Sequence, residues 1–238
     1  MGSASGSLTP YKRRRPVPAL VLFAVLLVSS VFVWVKVLGN ASDVDAAIKC
    51  NTPGNVVSSE SAPVDPAAPP TPPPPALGTV LEHDALDRTN PVPVGDVNFK
   101  VVNASTQRNH AKAVATMFTE LGLKQAADPG NDLIYPAGDM TCRGQIRFGA
   151  PGASAARTLS LLEPCLELVR DDRQDATVDI AIGKKFDEVK PNSNARKVLD
   201  QLSEWAAQQP DQQGGQVAAA TPPSINPDNL AGAREVTC

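Results

Sequence analysis

The sequence predicts an α+β fold: a small sandwich in which a mixed β-sheet carries helices on one face. The expected order is β-α-β-β-α-β-β, preceded by a single transmembrane helix. Three observations lead there. An uncharged apolar run covers Pro16–Val35. A proline-rich stretch separates that run from everything after it. Between residues 96 and 190, short segments of period-two apolar alternation are interleaved with two segments of helical period.

The N-terminal run, PVPALVLFAVLLVSSVFVWV, is twenty residues long. In a helix that length spans about 30 Å, the thickness of a bilayer core. KRRR at Lys12–Arg15 stands just before it, and positive charge stays on the cytoplasmic side. Residues 1–15 are therefore expected as a cytoplasmic arm and 16–38 as the span, with the remainder extracytoplasmic. A cleaved signal peptide would need a shorter apolar region and a small-residue cleavage site, and GNASDVDA is a poor one. Residues 39–95 read as a tether. PVDPAAPPTPPPPA should adopt polyproline II, and fifteen such residues reach roughly 45 Å as a semi-rigid spacer.

The folded domain is expected over 96–190. VNFKVV puts Val97, Phe99 and Val101 on one face of a strand. Ser105 or Thr106 can cap the next helix, where Ala111, Val114, Ala115, Phe118 and Leu121 share a face and Gly122 closes the end. DLIY is a short strand candidate, and GQIRFGA a stronger one. GASAARTLSLLEP predicts a second helix, stopped by Pro164. LELV and VDIAIG are two more strands, joined by the charged turn RDDRQDAT. Within 191–238, ARKVLDQLSEWAAQ has apolar residues at helical spacing, and a weakly structured Gln-, Gly- and Pro-rich tail follows.

Charge is uneven. Five of the 22 basic residues precede Asn40 and all 25 acidic residues follow it, leaving the rest of the chain at net −8. An acidic body repels phosphate backbones, which argues against a nucleic-acid partner. The four cysteines, Cys50, Cys142, Cys165 and Cys238, all fall on the outer side, where disulfides persist. Three pairings are open. A strand and the helix after it lie side by side, which favours Cys142–Cys165 and leaves Cys50–Cys238 as the second pair. The rival is an intermolecular bridge giving a covalent homodimer.

Ser105, Thr106, Arg108 and His110 form a candidate weak anion or ligand surface at a helix start. Phosphate loops need glycines there, and neither G-x-G-x-x-G nor G-K-[ST] occurs. The two histidines are His83 and His110, and no G-x-S-x-G elbow is present. Asp171, Asp172, Asp175 and Asp179 lack the glycine and spacing of an EF-hand loop and read as a solvated turn. No catalytic, cofactor-binding or metal-ligating residue is assigned, and no cofactor is expected.

FKVVNAS…AKAVATMFTELGL and GQIRFGAPGASAARTLSLL resemble the LytR C-terminal domain family, as does ATVDIAIGKKF. Glycines that often follow the Asn in that family are absent from NASTQRNH. The resemblance covers 96–189. It implies an envelope-associated, non-enzymatic binding or scaffold module that supports the cell envelope from outside the cytoplasmic membrane. Partners of that kind would be cell-wall glycopolymer, envelope lipid or envelope assembly proteins. The alternative is an accessory subunit or enzyme in glycopolymer transfer to peptidoglycan.

Overall fold

A computed structural model describes residues 21–31, 46–54, 76–208, 223–236 and 238. The chain divides into two units, Met1–Asp43 and Val44–Cys238. In the first, residues 21–31 are helical, and Leu22, Phe23, Leu26 and Val28 are exposed. The rest of the predicted span lies outside the described residues. Among those residues no helix is long and apolar enough to cross a membrane.

The second unit is the mixed α+β body that the periodicities predict. Its strands are β1 (Thr79–Leu81), β2 (Asn98–Asn103), β3 (Lys124–Gln125), β4 (Gly130–Asn131), β5 (Gly144–Phe148), β6 (Glu167–Arg170) and β7 (Val178–Ile182). The helices are α1 (His110–Glu120), α2 (Ala153–Leu162), α3 (Ser193–Gln208) and α4 (Pro227–Arg234). The sheet order is β1-β6-β5-β7-β2-β3, and β4 also pairs with β2. β1–β6 and β5–β7 run antiparallel; the other pairs are parallel.

Alternation decides what each sheet face carries. Phe99, Val101, Ile146, Phe148, Leu168, Val178 and Ile180 point to one side and are buried beneath α1 and α2. α1 covers them with Ala111, Val114, Ala115 and Phe118, at helical spacing. Phe99 and Phe118 meet at 5.6 Å between ring centroids. Gly122 closes the helix at φ +92°, a conformation that costs other residues energy. α2 is buried all round, because α3 and α4 pack on its back through Leu161, Ala195, Val198, Leu202 and Ala233.

Four expectations are corrected. The tether does not extend over the whole of 39–95. Ile48 and Leu86 are buried, Leu86 within the main core, and β1 is an edge strand of the sheet. Short apolar segments beside the proline run look like linker in composition, yet they have a sheet edge and a core to join. Residues 55–75 lie outside the described residues. DLIY is not a strand; the pairing falls on Gly130–Asn131, just before it. Neither Ser105 nor Thr106 caps α1. The residue before the helix is Asn109, left-handed at φ 59° and without a side-chain cap. The C-terminal tail contains α4, where Pro227 opens the helix and Asn226 caps it from Asp228 N at 2.8 Å.

The disulfides are Cys50–Cys142 and Cys165–Cys238, not Cys142–Cys165 and Cys50–Cys238. Cys142 and Cys165 do precede neighbouring strands, β5 and β6. However, the Cys142 side chain is buried with Val102, Tyr135, Met140 and Ala181 on the face away from α1 and α2. Cys165 lies instead beside Leu162 and Val236, after α2. Among the described residues no cysteine is left to bridge a second copy.

Candidate functional site

The surface proposed at the start of α1 is closed by its own hydrogen bonds. Ser105 is buried, and its hydroxyl donates to Asn103 Oδ1 at 2.8 Å. Ser105 N and Gln107 N complete the turn on Asn103 Oδ1 and Ser105 Oγ. Gly138, at φ +64°, brings another loop so close that a Cβ there would stand 2.7 Å from Ser105 O. Thr106 and Arg108 are exposed. His110 Nδ1 is 3.4 Å from Ser105 Oγ, and its ring stacks edge-on against Phe186. Burial lowers the His110 pKa. That 3.4 Å approach is longer than the roughly 2.6–3.2 Å hydrogen-bond reach of a general base. The structure brings two of the four candidates, Ser105 and His110, together and leaves Thr106 and Arg108 at the surface, so they form no anion cradle.

The site that emerges lies on the opposite face of the sheet, away from α1 and α2. Strand register sets Lys100, Asp179, Arg147, Val169 and Val80 in one row across β2, β7, β5, β6 and β1. An open groove of about 880 Å³ runs over the Lys100, Asp179 and Arg147 part of this row. The 131–134 segment, including Leu133 and Ile134, lines it, as does the charged turn with Arg170, Asp171, Asp172, Arg173 and Asp175. Ala76, Leu77 and Gly78 contribute at the entry to β1.

The floor is held by a buried polar chain. Arg147 binds Asp132 through two hydrogen bonds, 2.9 and 2.7 Å, with both side chains almost fully buried. Arg147 Nε donates to Gln145 Oε1 at 2.9 Å, and Gln145 Nε2 donates to Glu167 Oε2 at 2.7 Å. Glu167 Oε1 accepts from Cys50 N at 3.1 Å, which ties the chain to the first disulfide. Asp132 Oδ1 also accepts from Ile134 N at 2.8 Å, positioning the groove wall. Buried charges persist when paired and fully hydrogen-bonded in this way. Tyr135 donates to Asn51 O beneath the wall, and burial pushes its hydroxyl pKa up to about 12, with Arg147 opposing.

In the charged turn, Arg173 bridges Asp171 at 2.6 Å and Asp179 at 2.9 Å. Burial works against the guanidinium charge, but these two carboxylates outweigh it and raise the Arg173 pKa. The aspartates predicted as a solvated turn thus split: Asp171 and Asp179 are tied to Arg173, while Asp172 and Asp175 stay at the rim. Among the described residues no group of three or more His, Cys, Asp or Glu side chains is placed to hold a metal ion. A smaller cavity of about 380 Å³ lies beside the second disulfide, where Glu163 accepts from Arg143 and from Lys190 N. Burial raises the Glu163 pKa.

Gln145, Arg147, Asp132 and Glu167 carried no signal in the sequence. GQIRFGA alternates, and its polar positions read as a solvent face. They are buried because residues 46–54 and 130–142 fold over that face, a long-range packing event that local patterning does not encode.

Three comparisons bear on identity. Residues 96–186 match the family model described as LytR cell envelope-related transcriptional attenuator. The chain is 33% identical over 202 residues to the cell envelope integrity protein Cei of Mycobacterium tuberculosis, covering 85% of this chain and 87% of that protein. The crystal structure of the soluble domain of a conserved hypothetical secreted protein from Mycobacterium marinum is also similar. It is 30% identical, with a TM-score of 0.56, covering 68% of this chain and 99% of that one. With a relative this similar over most of both lengths, the chain belongs to the family of the cell envelope integrity protein Cei, and its folded unit carries a LytR C-terminal domain.

Proposed function

We propose that this chain is a single-pass membrane protein whose folded unit lies outside the cytoplasmic membrane. There it supports cell envelope integrity by binding an envelope component in the groove on the sheet face away from α1 and α2. KRRR followed by the uncharged Pro16–Val35 run supports the anchor and its orientation. Two disulfides support an oxidising compartment. A relative named for envelope integrity supports the role.

The observation that carries the binding reading is the groove. It presents fixed donors and acceptors over about 880 Å³, a volume typical of ligand sites. None of its lining residues is Ser, Cys, Tyr or His.

The test is complementation of a deletion strain, read as permeability to dyes and bulky antibiotics, with protein levels checked by blot. Leu133→Asp, on an exposed wall residue, should fail to complement at normal abundance. Deleting Val17–Val35 while supplying an export signal should also fail. Ser105→Ala and His110→Ala should complement. A stable His110→Ala protein that fails, alongside an untethered domain that succeeds, would reject this reading and favour an enzyme or enzyme subunit of glycopolymer transfer.

A further inference from the structure

The chemistry of the groove narrows its ligand, an inference that rests on the binding reading above. We propose that the groove takes a neutral, polyhydroxylated ligand, a glycan chain of several sugar units, lying across the strands over Lys100, Asp179 and Arg147.

Charge balance comes first. Four basic residues and five acidic ones line the groove. Much of that charge is already paired internally, Arg147 with Asp132 and Arg173 with Asp171 and Asp179. A phosphate-rich polymer would face five carboxylates, and a polycation would face four cations. Neither finds a field of one sign to draw it in. An uncharged ligand meets no such penalty.

Hydrogen-bond chemistry comes second. Guanidinium groups only donate, and ionised carboxylates only accept. A groove that sets both kinds side by side suits a group that donates and accepts at once. A hydroxyl does both, and adjacent hydroxyls on a sugar ring can engage neighbouring Asp and Arg side chains together. Such bonds are charge-assisted, and so stronger than neutral ones. The side chains are also held in place beforehand: Arg173 by two carboxylates and Arg147 by Asp132 and Gln145. Little rotamer freedom remains to be lost on binding.

The third point is the apolar share of the lining. Leu133 is 70% exposed, unusual for leucine, on a wall pinned by the Asp132–Ile134 turn. Leu77, Ile134 and Val102 line the same groove. Sugar rings have a C–H face as well as hydroxyl edges, and the groove offers surface to both.

Ligand-observed NMR on the full chain in nanodiscs tests the proposal. The probes are neutral oligosaccharides of four to six units, built in turn from hexoses, pentofuranoses and N-acetylhexosamines. Inorganic tripolyphosphate and trilysine are the charged controls. At least one oligosaccharide should saturate with a Kd of about millimolar or tighter. Leu133→Asp and Asp179→Asn should each weaken it by about tenfold, roughly 1.4 kcal/mol, with the fold confirmed by circular dichroism. Raising salt about tenfold should change the Kd by less than about twofold, because no net charge drives binding. Saturation by tripolyphosphate or trilysine, or by no oligosaccharide at all, overturns the glycan assignment. Complementation by Leu133→Asp is a separate readout that judges the binding reading itself, so the two failures can be told apart.

Discussion

Removing the Cys50–Cys142 bridge, by replacing both cysteines with serine, perturbs the fold at a point whose effect can be worked out from the chain. The two cysteines are 92 residues apart. For a loop of that length the chain-entropy model gives about 4.6 kcal/mol of stabilisation, and measured values centre on about 2–4 kcal/mol. For a body of this size, about 3 kcal/mol corresponds to a fall in Tm of roughly 6–12 °C. Thermal unfolding followed by circular dichroism reads the shift directly. A companion assay tests the pairing. With a specific protease site placed within residues 55–75, cleavage should leave both fragments joined on a non-reducing gel. Cys50→Ser or Cys142→Ser should let them separate, whereas Cys238→Ser should not. A loss below about 1 kcal/mol would refute the energetic reasoning. Fragments that separate without reductant, or that separate in Cys238→Ser and not in Cys142→Ser, would refute the bridge itself.

Asp132→Ala leaves the Arg147 guanidinium buried without its two-point partner and should cost about 3–5 kcal/mol, measured by urea denaturation. Tyr135, with its pKa raised to about 12 by burial, should give a late step in an absorbance titration at alkaline pH, and Tyr135→Phe should remove that step. The sign for stability follows. An unfolded phenol ionises near pH 10, so between about 10 and 12 the unfolded state releases a proton that the folded state keeps, and stability falls as pH rises through that window.

Local pattern was enough for the central elements. Phe99 and Val101 announce β2 by alternation, and Ala111, Val114 and Phe118 announce α1 by spacing, because each faces one core made from adjacent sequence. Elements stabilised by distant partners were not legible. Val80 and Leu81 form a strand only because β6 offers an edge. Asn109 rather than Ser105 precedes α1 because the Asn103 carboxamide captures Ser105 within its own turn. The groove was least legible. Arg147 and Gln145 look like surface residues, and their burial depends on Cys50 and Asp132, which lie 97 and 15 residues away in the chain.

The same long-range packing changes what the proline run does. As sequence, it reads as a spacer that adds roughly 45 Å between an anchor and a domain. Yet Asn51, twelve residues before the run begins at Pro63, is bonded to Thr141 and takes the Tyr135 hydroxyl, and Gly78, two residues past its end at Ala76, packs against the Arg170 backbone. Both ends belong to one folded unit, and Cys50–Cys142 closes them covalently. Whatever its own conformation, a segment fixed at both ends to one body adds no length between that body and anything before Cys50. Only the residues between the apolar run and Ile48 can do that. The groove and the first disulfide are then parts of one assembly. The bridge that fastens residues 46–54 over the sheet also seats Cys50 N on Glu167, the far end of the polar chain that holds Arg147 in the groove floor. Loss of that bridge should therefore weaken ligand binding as well as stability, even under conditions where the body remains folded.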